Sequence, residues 1–134
     1  MLKVQSVGKN YGTFTALENI NLEFSNGVYG LLAPNGAGKT TLIKILTTLI
    51  FPTSGEILYD GKNINKMGSD YRELIGYLPQ QFGYYKNYTP TNYLLYLAAL
   101  KGIDQRKAKQ KIAELLKLVA LEEVAHKKMR KFSG

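Results

Sequence analysis

Residues 33–41, which read APNGAGKTT, combine the residue types that surround a phosphate group. Gly36 and Gly38 allow backbone conformations that are closed to other residues, so successive N–H groups can point at one anion. Lys39 can reach the β- and γ-phosphates of a nucleotide, and the Thr40 hydroxyl is placed to ligate Mg²⁺. We therefore predict a site for MgATP. The predicted contacts in the loop are Ala33, Pro34, Asn35, Gly36, Ala37, Gly38, Lys39, Thr40 and Thr41.

The segments on either side of this loop predict the elements that hold it. Residues 28–32, VYGLL, form an apolar run typical of a buried parallel strand. Residues 40–50, TTLIKILTTLI, predict a helix whose N-terminus faces the phosphates and adds its dipole. The alternative is a glycine turn between two core elements. Phosphate loops usually open with glycine, so we expect negative φ at Ala33, where alanine then costs little.

The remainder of the N-terminal part has the pattern of β structure with two turns. Ile20, Leu22 and Phe24 alternate with polar residues, which predicts a half-buried strand. Asn26–Gly27 predicts a hairpin turn into residues 28–32, and Asp60–Gly61 predicts a second turn after the strand of residues 55–59. The further predicted elements are a short helix near residues 69–74 and a strand over residues 75–78.

The character of the chain changes near residues 79–82, where helical patterns replace strand patterns. Thr89 is a predicted N-cap with Pro90 at the first helical position, and Gly102 ends that helix. Asp104 caps the next helix. We expect apolar stripes on both helices, formed by Leu94, Leu97 and Ala98 on the first and by Ala108, Ile112, Leu115, Leu116 and Val119 on the second. The predicted domains are therefore residues 1–81 and 82–134.

Composition limits the class of protein. The 134 residues are 45% hydrophobic, which suffices for a real core, and no run of 18 apolar residues predicts a membrane span. The N-terminus does not resemble a signal peptide, and there is no cysteine for a disulfide. The net charge of +8 is concentrated after residue 100. This excess can attract nucleic acid or an anionic membrane surface, but a solvated helix face is the simplest interpretation.

Three segments together resemble the nucleotide-binding domain of ATP-binding cassette (ABC) transporters: APNGAGKTTL, IGYLPQ at residues 75–80, and the terminal KMRKFSG. The likeness extends over the whole chain and is strongest to the ATPase subunits of the ABC-2 export type. It implies an α/β fold of the P-loop NTPase class. The expected parts are an incomplete RecA-like core, an N-terminal antiparallel β region and a C-terminal helical subdomain.

The resemblance also implies roles for single residues. Tyr11 matches the aromatic residue that stacks on adenine. Gln80 matches the glutamine that helps to ligate magnesium and orients the attacking water, although Gln81 beside it is a rival. With Lys39, Gln80 is the expected catalytic residue. Ser133 and Gly134 match the start of the signature sequence, so the chain resembles an N-terminal part of a longer protein. His126 is expected on a helix face, and Asn92 replaces the glutamate of a capping box.

The partners implied by the resemblance are a membrane permease and a second ATP-binding domain, paired head to tail at the cytoplasmic face of the membrane. We expect the permease to dock near Phe82, Tyr84, Tyr85 and Tyr88, unless these rings simply pack against the helical part. No nucleic acid is expected. Two alternatives stay open, namely a non-transport ABC ATPase that acts on nucleic acid or ribosomes and a module that only binds nucleotide. Because the later catalytic groups are absent, we expect weak nucleotide binding and no hydrolysis by these 134 residues.

Overall fold

A computed structural model describes residues 1–80 and 83–132 of the chain. The chain divides into two compact units, Met1–Tyr77 and Leu78–Gly134. The first unit contains β1 (Leu2–Tyr11), β2 (Phe14–Phe24), α1 (Lys39–Leu46), β3 (Ser54–Tyr59), β4 (Lys62–Asn63), α2 (Ile64–Met67) and α3 (Ser69–Leu74). The second contains α4 (Pro90–Leu100), α5 (Gln105–Leu118) and two 3-10 helices, Glu122–Val124 and Met129–Lys131. The domain boundary at residues 81 and 82 stays a prediction.

The strands of the first unit form one antiparallel sheet in the order β2-β1-β3-β4. The half-buried strand that contains Ile20, Leu22 and Phe24 is confirmed, because all three side chains are partly buried between exposed polar residues. The Asp60–Gly61 turn is also confirmed. Both residues have positive φ, 46° and 79°, as a two-residue hairpin loop between right-twisted strands requires.

Helix α1 covers the sheet and supplies the centre of the first core. Leu42 and Ile45 are buried, and they belong to one cluster with the buried side chains Val4, Val7, Leu17, Ile57, Ile64 and Tyr71. The Tyr71 hydroxyl donates a hydrogen bond to the carbonyl of Leu46 at 2.9 Å, which fixes the C-terminal end of α1. Burial raises the pKa of this phenol above its usual value. Helix α1 therefore packs against both the sheet and α3.

Helix α1 is shorter than the predicted range of 40–50. It ends at Leu46, and Thr48 adopts a left-handed backbone conformation with φ 57°. The N–H groups of Leu49 and Ile50 then both donate to the carbonyl of Lys44. A β-branched residue in this conformation cannot continue the helix, so the apolar pattern of residues 47–50 overstated its length.

The predicted parallel strand of residues 28–32 and the predicted strand of residues 75–78 are both wrong. Neither segment is a strand, and Val28 and Leu32 are 102% and 94% exposed. A buried parallel strand obtains its hydrogen bonds and its burial from neighbouring strands. In the two described ranges the strand ladders join only β1–β4, so neither segment has a neighbouring strand. For the same reason Asn26–Gly27 is a bend that leads into an extended segment, and the predicted hairpin there is wrong.

The second unit confirms the predicted helix ends. The Thr89 hydroxyl accepts from the N–H of Asn92 at 3.2 Å, and Pro90 opens α4. The Asp104 carboxylate accepts from the N–H groups of Arg106 and Lys107, both at 3.1 Å. Gly102 has φ 68° and ends the preceding helix.

The predicted apolar stripes of the helical unit need correction. Ala108, Ile112, Leu116 and Ala125 form the buried cluster, against which Leu94, Leu95 and Ala98 pack. Leu115 and Val119 are exposed, and so is Leu97. Both helices have more apolar positions than the narrow contact between them can cover, so spacing alone did not identify the residues that face inward.

Removal of the Ile45 side chain tests the role of α1 in the first core. We expect Ile45→Ala to lower the free energy of unfolding by about 2–5 kcal/mol, since the side chain is fully buried. Leu49→Ala is the matched control, because Leu49 lies just beyond the helix and is mostly exposed. Urea unfolding followed by circular dichroism measures both variants. Equal losses would contradict this assignment of the core.

Candidate functional site

The loop at residues 33–41 has the backbone conformation that the sequence predicts. Gly36 and Gly38 adopt φ 83° and 88°, a region that favours glycine. Ala33 is not among the positive-φ residues, and the expectation of negative φ there is confirmed. The N–H of Ala37 donates to the carbonyl of Pro34 at 3.2 Å and closes a turn inside the loop. An alanine at the first position is therefore compatible with this loop.

The first turn of α1 supplies further donors. Gly38 is the N-cap and offers no side-chain oxygen to the N–H groups of the first turn. The first bond of the helix runs from the N–H of Leu42 to the carbonyl of Gly38 at 2.9 Å. No acidic residue lies in the first turn. The positive end of the helix dipole is thus left for an anion from outside the helix.

Gly38 lies directly against β2. A Cβ atom at this position would stand 2.5 Å from the carbonyl oxygen of Ala16 and 2.6 Å from the side chain of Leu17. At Gly36, by contrast, a Cβ would meet nothing within 4 Å. One glycine therefore anchors the loop to the sheet, whereas the other leaves open space at the surface of the loop.

Lys39 reaches back over the loop. Its ammonium group donates to the carbonyl oxygens of Ala33 and Pro34, the latter at 2.7 Å. The side chains of Asn35 and Thr40 are exposed, and Thr41 is partly buried. A cation, free N–H groups and an exposed hydroxyl thus converge on one short segment. This donor set fits a nucleotide phosphate and its Mg²⁺.

Tyr11 stands at the end of β1, where it pairs with Phe14 of β2. Its ring is half exposed, so one face is available to a planar group. The same strand β2 carries Ala16, which contacts the loop at Gly38. The structure therefore joins the predicted base-stacking residue and the phosphate loop through β2.

Lys9 is a residue that sequence reasoning missed. Its ammonium group lies 5.4 Å from the centre of the Tyr11 ring and donates to the carbonyl of Phe51 at 2.8 Å. A cation over an aromatic ring is attracted by the negative face of that ring. The period of two along β1 places residues 9 and 11 on one face, which is the signal that could have found it.

The other predicted site residues belong to the second unit or lie outside the described residues. Gln80 is exposed and lies in the second unit, so its role stays a prediction. Gln81, Phe82, Ser133 and Gly134 lie outside the described residues. His126 is exposed in a turn after the first 3-10 helix, and its expected place on a helix face is wrong. The chain turns there because Ala125 is drawn into the helical core.

Five tyrosines, Tyr84, Tyr85, Tyr88, Tyr93 and Tyr96, form a tyrosine cluster in the second unit. The Tyr85 ring lies 5.0 Å from that of Tyr88 and 5.7 Å from that of Tyr96, mostly edge to face. Tyr84, Tyr85 and Tyr88 are 45%, 52% and 39% exposed. A hydrogen bond with Tyr85 raises the pKa of the Tyr96 phenol above its usual value. The cluster is therefore an amphipathic surface rather than a closed core.

Among the described residues, no group of three or more His, Asp or Glu side chains could hold a metal ion. Over the same part of the chain, no helix is long and apolar enough to cross a membrane.

Comparison with known proteins identifies several relatives. A family model described as ABC transporter matches residues 17–134. An uncharacterized ABC transporter ATP-binding protein, YxlF of Bacillus subtilis, is 40% identical over the whole chain, which spans 44% of that relative. The linearmycin resistance ATP-binding protein LnrL of the same organism is 35% identical, again over the whole chain and 43% of the relative. Import ATP-binding proteins for sulfate/thiosulfate and for osmoprotectants also match, at 34% and 36% identity.

Comparison with solved structures also finds ATP-binding cassettes. The dimeric, post-hydrolysis ATP-binding cassette MJ0796 bound to ADP and Pi superposes with a TM-score of 0.81 at 26% identity. This alignment covers 99% of the chain and 63% of that structure. The chain thus spans less than half of the two Bacillus relatives and less than two thirds of this cassette.

The two loop glycines make a matched pair of variants. We expect Gly38→Ala to destabilise the first unit more than Gly36→Ala, because both would place a Cβ at positive φ but only Gly38 would also press against Ala16. The conformational cost shared by both is about 1–2 kcal/mol. Urea unfolding of the two variants measures the difference. Equal losses would mean that the loop is not anchored to β2 through Gly38.

Proposed function

Because the chain belongs to the ABC transporter family, we propose that it is the ATP-binding part of a subunit that couples ATP hydrolysis to transport. The family and its solved cassettes establish the P-loop NTPase fold class. The N-terminal sheet of the chain is antiparallel, which confirms a separate expectation from the sequence. The observation that carries the proposal is the loop itself, in which two positive-φ glycines precede Lys39 at the N-terminus of α1.

Different residues of the first unit bind the phosphates and the adenine of the nucleotide. The loop N–H groups of residues 36–41 and the α1 dipole hold the phosphates, and Lys39 exchanges its two carbonyl partners for phosphate oxygens. This exchange is favourable because a phosphate oxygen carries charge and a carbonyl does not. Tyr11 stacks on the adenine, with Lys9 holding the ring in place.

The metal belongs to the same proposal. Thr40 and Gln80 would hold Mg²⁺, which supplies charge neutralisation between the β- and γ-phosphates. Gln80 also orients the attacking water, for which an amide suits because it donates and accepts without competing for protons. Ser133 and Gly134 contact the nucleotide of a second domain, in a head-to-tail pair. The dimeric MJ0796 cassette with ADP and Pi supports, by analogy, the pairing of two such domains.

A membrane permease is the proposed partner at the cytoplasmic face of the membrane. The tyrosine cluster and Phe82 form its docking surface. The half-exposed rings support this, since aromatic side chains with polar tips suit a surface that is buried only on association. For the direction of transport we propose export, in agreement with the resistance protein among the relatives. Import proteins match at similar identity, so a transport assay has to distinguish export from import.

The 134 residues by themselves are proposed to bind nucleotide weakly and not to hydrolyse it. The phosphate loop is anchored on its helix side through Gly38, Leu42 and Ile45, but the segment of residues 28–32 that leads into it is exposed and pairs with no strand among the described residues. A binding site held on one side only loses affinity, because the loop must be ordered at the moment of binding.

Lys39 provides the direct test of the nucleotide site. We expect Lys39→Ala to weaken ATP binding tenfold or more, at least ~1.4 kcal/mol, since this is the side-chain cation that the loop directs at the phosphates. Lys44→Ala is the matched control, because Lys44 lies on the exposed face of α1. Equilibrium dialysis with labelled ATP, with and without Mg²⁺, measures both. Unchanged affinity in the Lys39 variant would reject the assignment.

Hydrolysis is tested separately. We expect the purified chain to release phosphate from MgATP at the background rate, because charge, metal and water must be positioned together and partial sets lose far more than their share. A phosphate-release assay with the Lys39→Ala variant as its blank measures this. A Mg²⁺-dependent rate that the variant abolishes would show that the chain is an active ATPase on its own.

A further inference from the structure

The positive charge of the protein is concentrated in the second unit. Residues 78–134 contain eleven Lys and Arg against four Asp and Glu, whereas residues 1–77 contain seven against six. Within the second unit the signs are also separated. Residues 83–103 and 124–132 contain no acidic residue.

Main-chain hydrogen bonds bring these two acid-free segments together. The N–H of Met129 donates to the carbonyl of Tyr88, and the N–H of Arg130 donates to the carbonyl of Lys86, both at 2.9 Å. The N–H and hydroxyl of Thr91 both donate to the carbonyl of Ala125, the hydroxyl at 2.9 Å. The tyrosine cluster and the basic segment of residues 127–131 are therefore parts of one continuous surface.

The cations of this surface are not neutralised by the chain. Across residues 1–80 and 83–132, ion pairs join Met1 to Asp60, Lys3 to Glu23 and Lys111 to Glu114, and none involves Lys86 or the basic segment. All four cationic side chains of the basic segment are exposed, namely Lys127, Lys128, Arg130 and Lys131. Lys86 is exposed as well. Exposed cations with no carboxylate between them require an anionic partner or a cloud of counterions.

We propose that this surface binds the anionic lipid headgroups of a membrane. Lys86 and the basic segment contact the phosphates, while the tyrosine cluster beside them remains the surface that docks the permease. A peripheral subunit held beside a permease would bring this surface close to the bilayer. The inference goes beyond the proposed function, since it requires neither nucleotide nor permease.

A single-stranded nucleic acid is the other polyanion that such a surface could attract. Stacking of bases needs free ring faces. Here Tyr85 and Tyr88 pack against each other and against Tyr96 with centroid distances of 5.0–6.5 Å, mostly edge to face. These rings are therefore in contact with one another, and the cluster is the proposed docking surface of the permease, so they are not left free to stack on bases and lipid phosphates are the favoured polyanion.

Vesicle sedimentation with the purified chain tests the proposal. We expect binding to vesicles of phosphatidylglycerol mixed with phosphatidylcholine, little binding to phosphatidylcholine alone, and a loss of binding as salt is raised. The double variant Lys86→Glu with Arg130→Glu should lower the partition coefficient about tenfold or more. The control is Lys62→Glu with Lys66→Glu, which makes the same change in net charge at two exposed lysines of the first unit, outside this surface.

Three results would overturn the proposal: equal binding to both kinds of vesicle, equal losses in the two double variants, or complete displacement of the chain from vesicles by single-stranded RNA. Circular dichroism checks the fold, and Lys86→Gln with Arg130→Gln replaces the first variant if it unfolds, with a smaller expected loss. The chain has no tryptophan, so Tyr84→Trp provides a single reporter. Its emission should shift to the blue with anionic vesicles only. Failure of these tests leaves nucleotide binding and permease docking unaffected, since neither is present in the assay.

Discussion

The contact between Gly38 and β2 is the constraint on which the first unit depends. A helix that begins with a phosphate loop must place its N-terminus at a defined point of the sheet, and here the carbonyl of Ala16 comes so close that no Cβ fits. This approach allows Leu42 and Ile45 to reach the core one and two turns later. The glycine is therefore required twice, once for its φ of 88° and once for the space.

The phosphate loop is consequently held more firmly on its C-terminal side than on its N-terminal side. From Gly38 onward each element is held by burial or by a hydrogen bond, as with Tyr71 and Leu46. Before Ala33 the chain is extended, with Val28 and Leu32 open to solvent. Apolar residues of this kind are stable only against a partner surface. The geometry of the phosphate loop is thus set by its helix and its sheet contact, while the segment that enters the loop is held at the end of β2 through Tyr29, whose hydroxyl accepts from the Ser25 N–H and whose ring packs on Phe24.

The second unit is organised by a different balance of forces. Its core is small, formed by four buried residues of α5 and the following turn with side chains from α4. The carbonyl of Ala125 accepts two bonds from Thr91 and so ties the end of the unit to the start of α4. These hydrogen bonds place the basic segment beside the tyrosine cluster. A mostly exposed, cationic and aromatic surface follows from this arrangement, because a core of four buried residues is too small to enclose the rings.

The amino-acid sequence by itself determined the features that depend on local chemistry. The glycines and Lys39 of the loop, the negative φ at Ala33, the Asp60–Gly61 turn and the caps at Thr89 and Asp104 were all predictable, because each rests on residues only a few positions apart. The family, too, was predictable from APNGAGKTTL and IGYLPQ. Tertiary structure decided what depends on distant partners. Residues 28–32 and 75–78 have the composition of strands but no neighbouring strand, and composition cannot supply hydrogen bonds. Likewise the place of Lys9 over Tyr11, the close approach at Gly38 and the contact between the two acid-free segments arise from strand pairing and main-chain bonds between residues far apart, which no local pattern encodes.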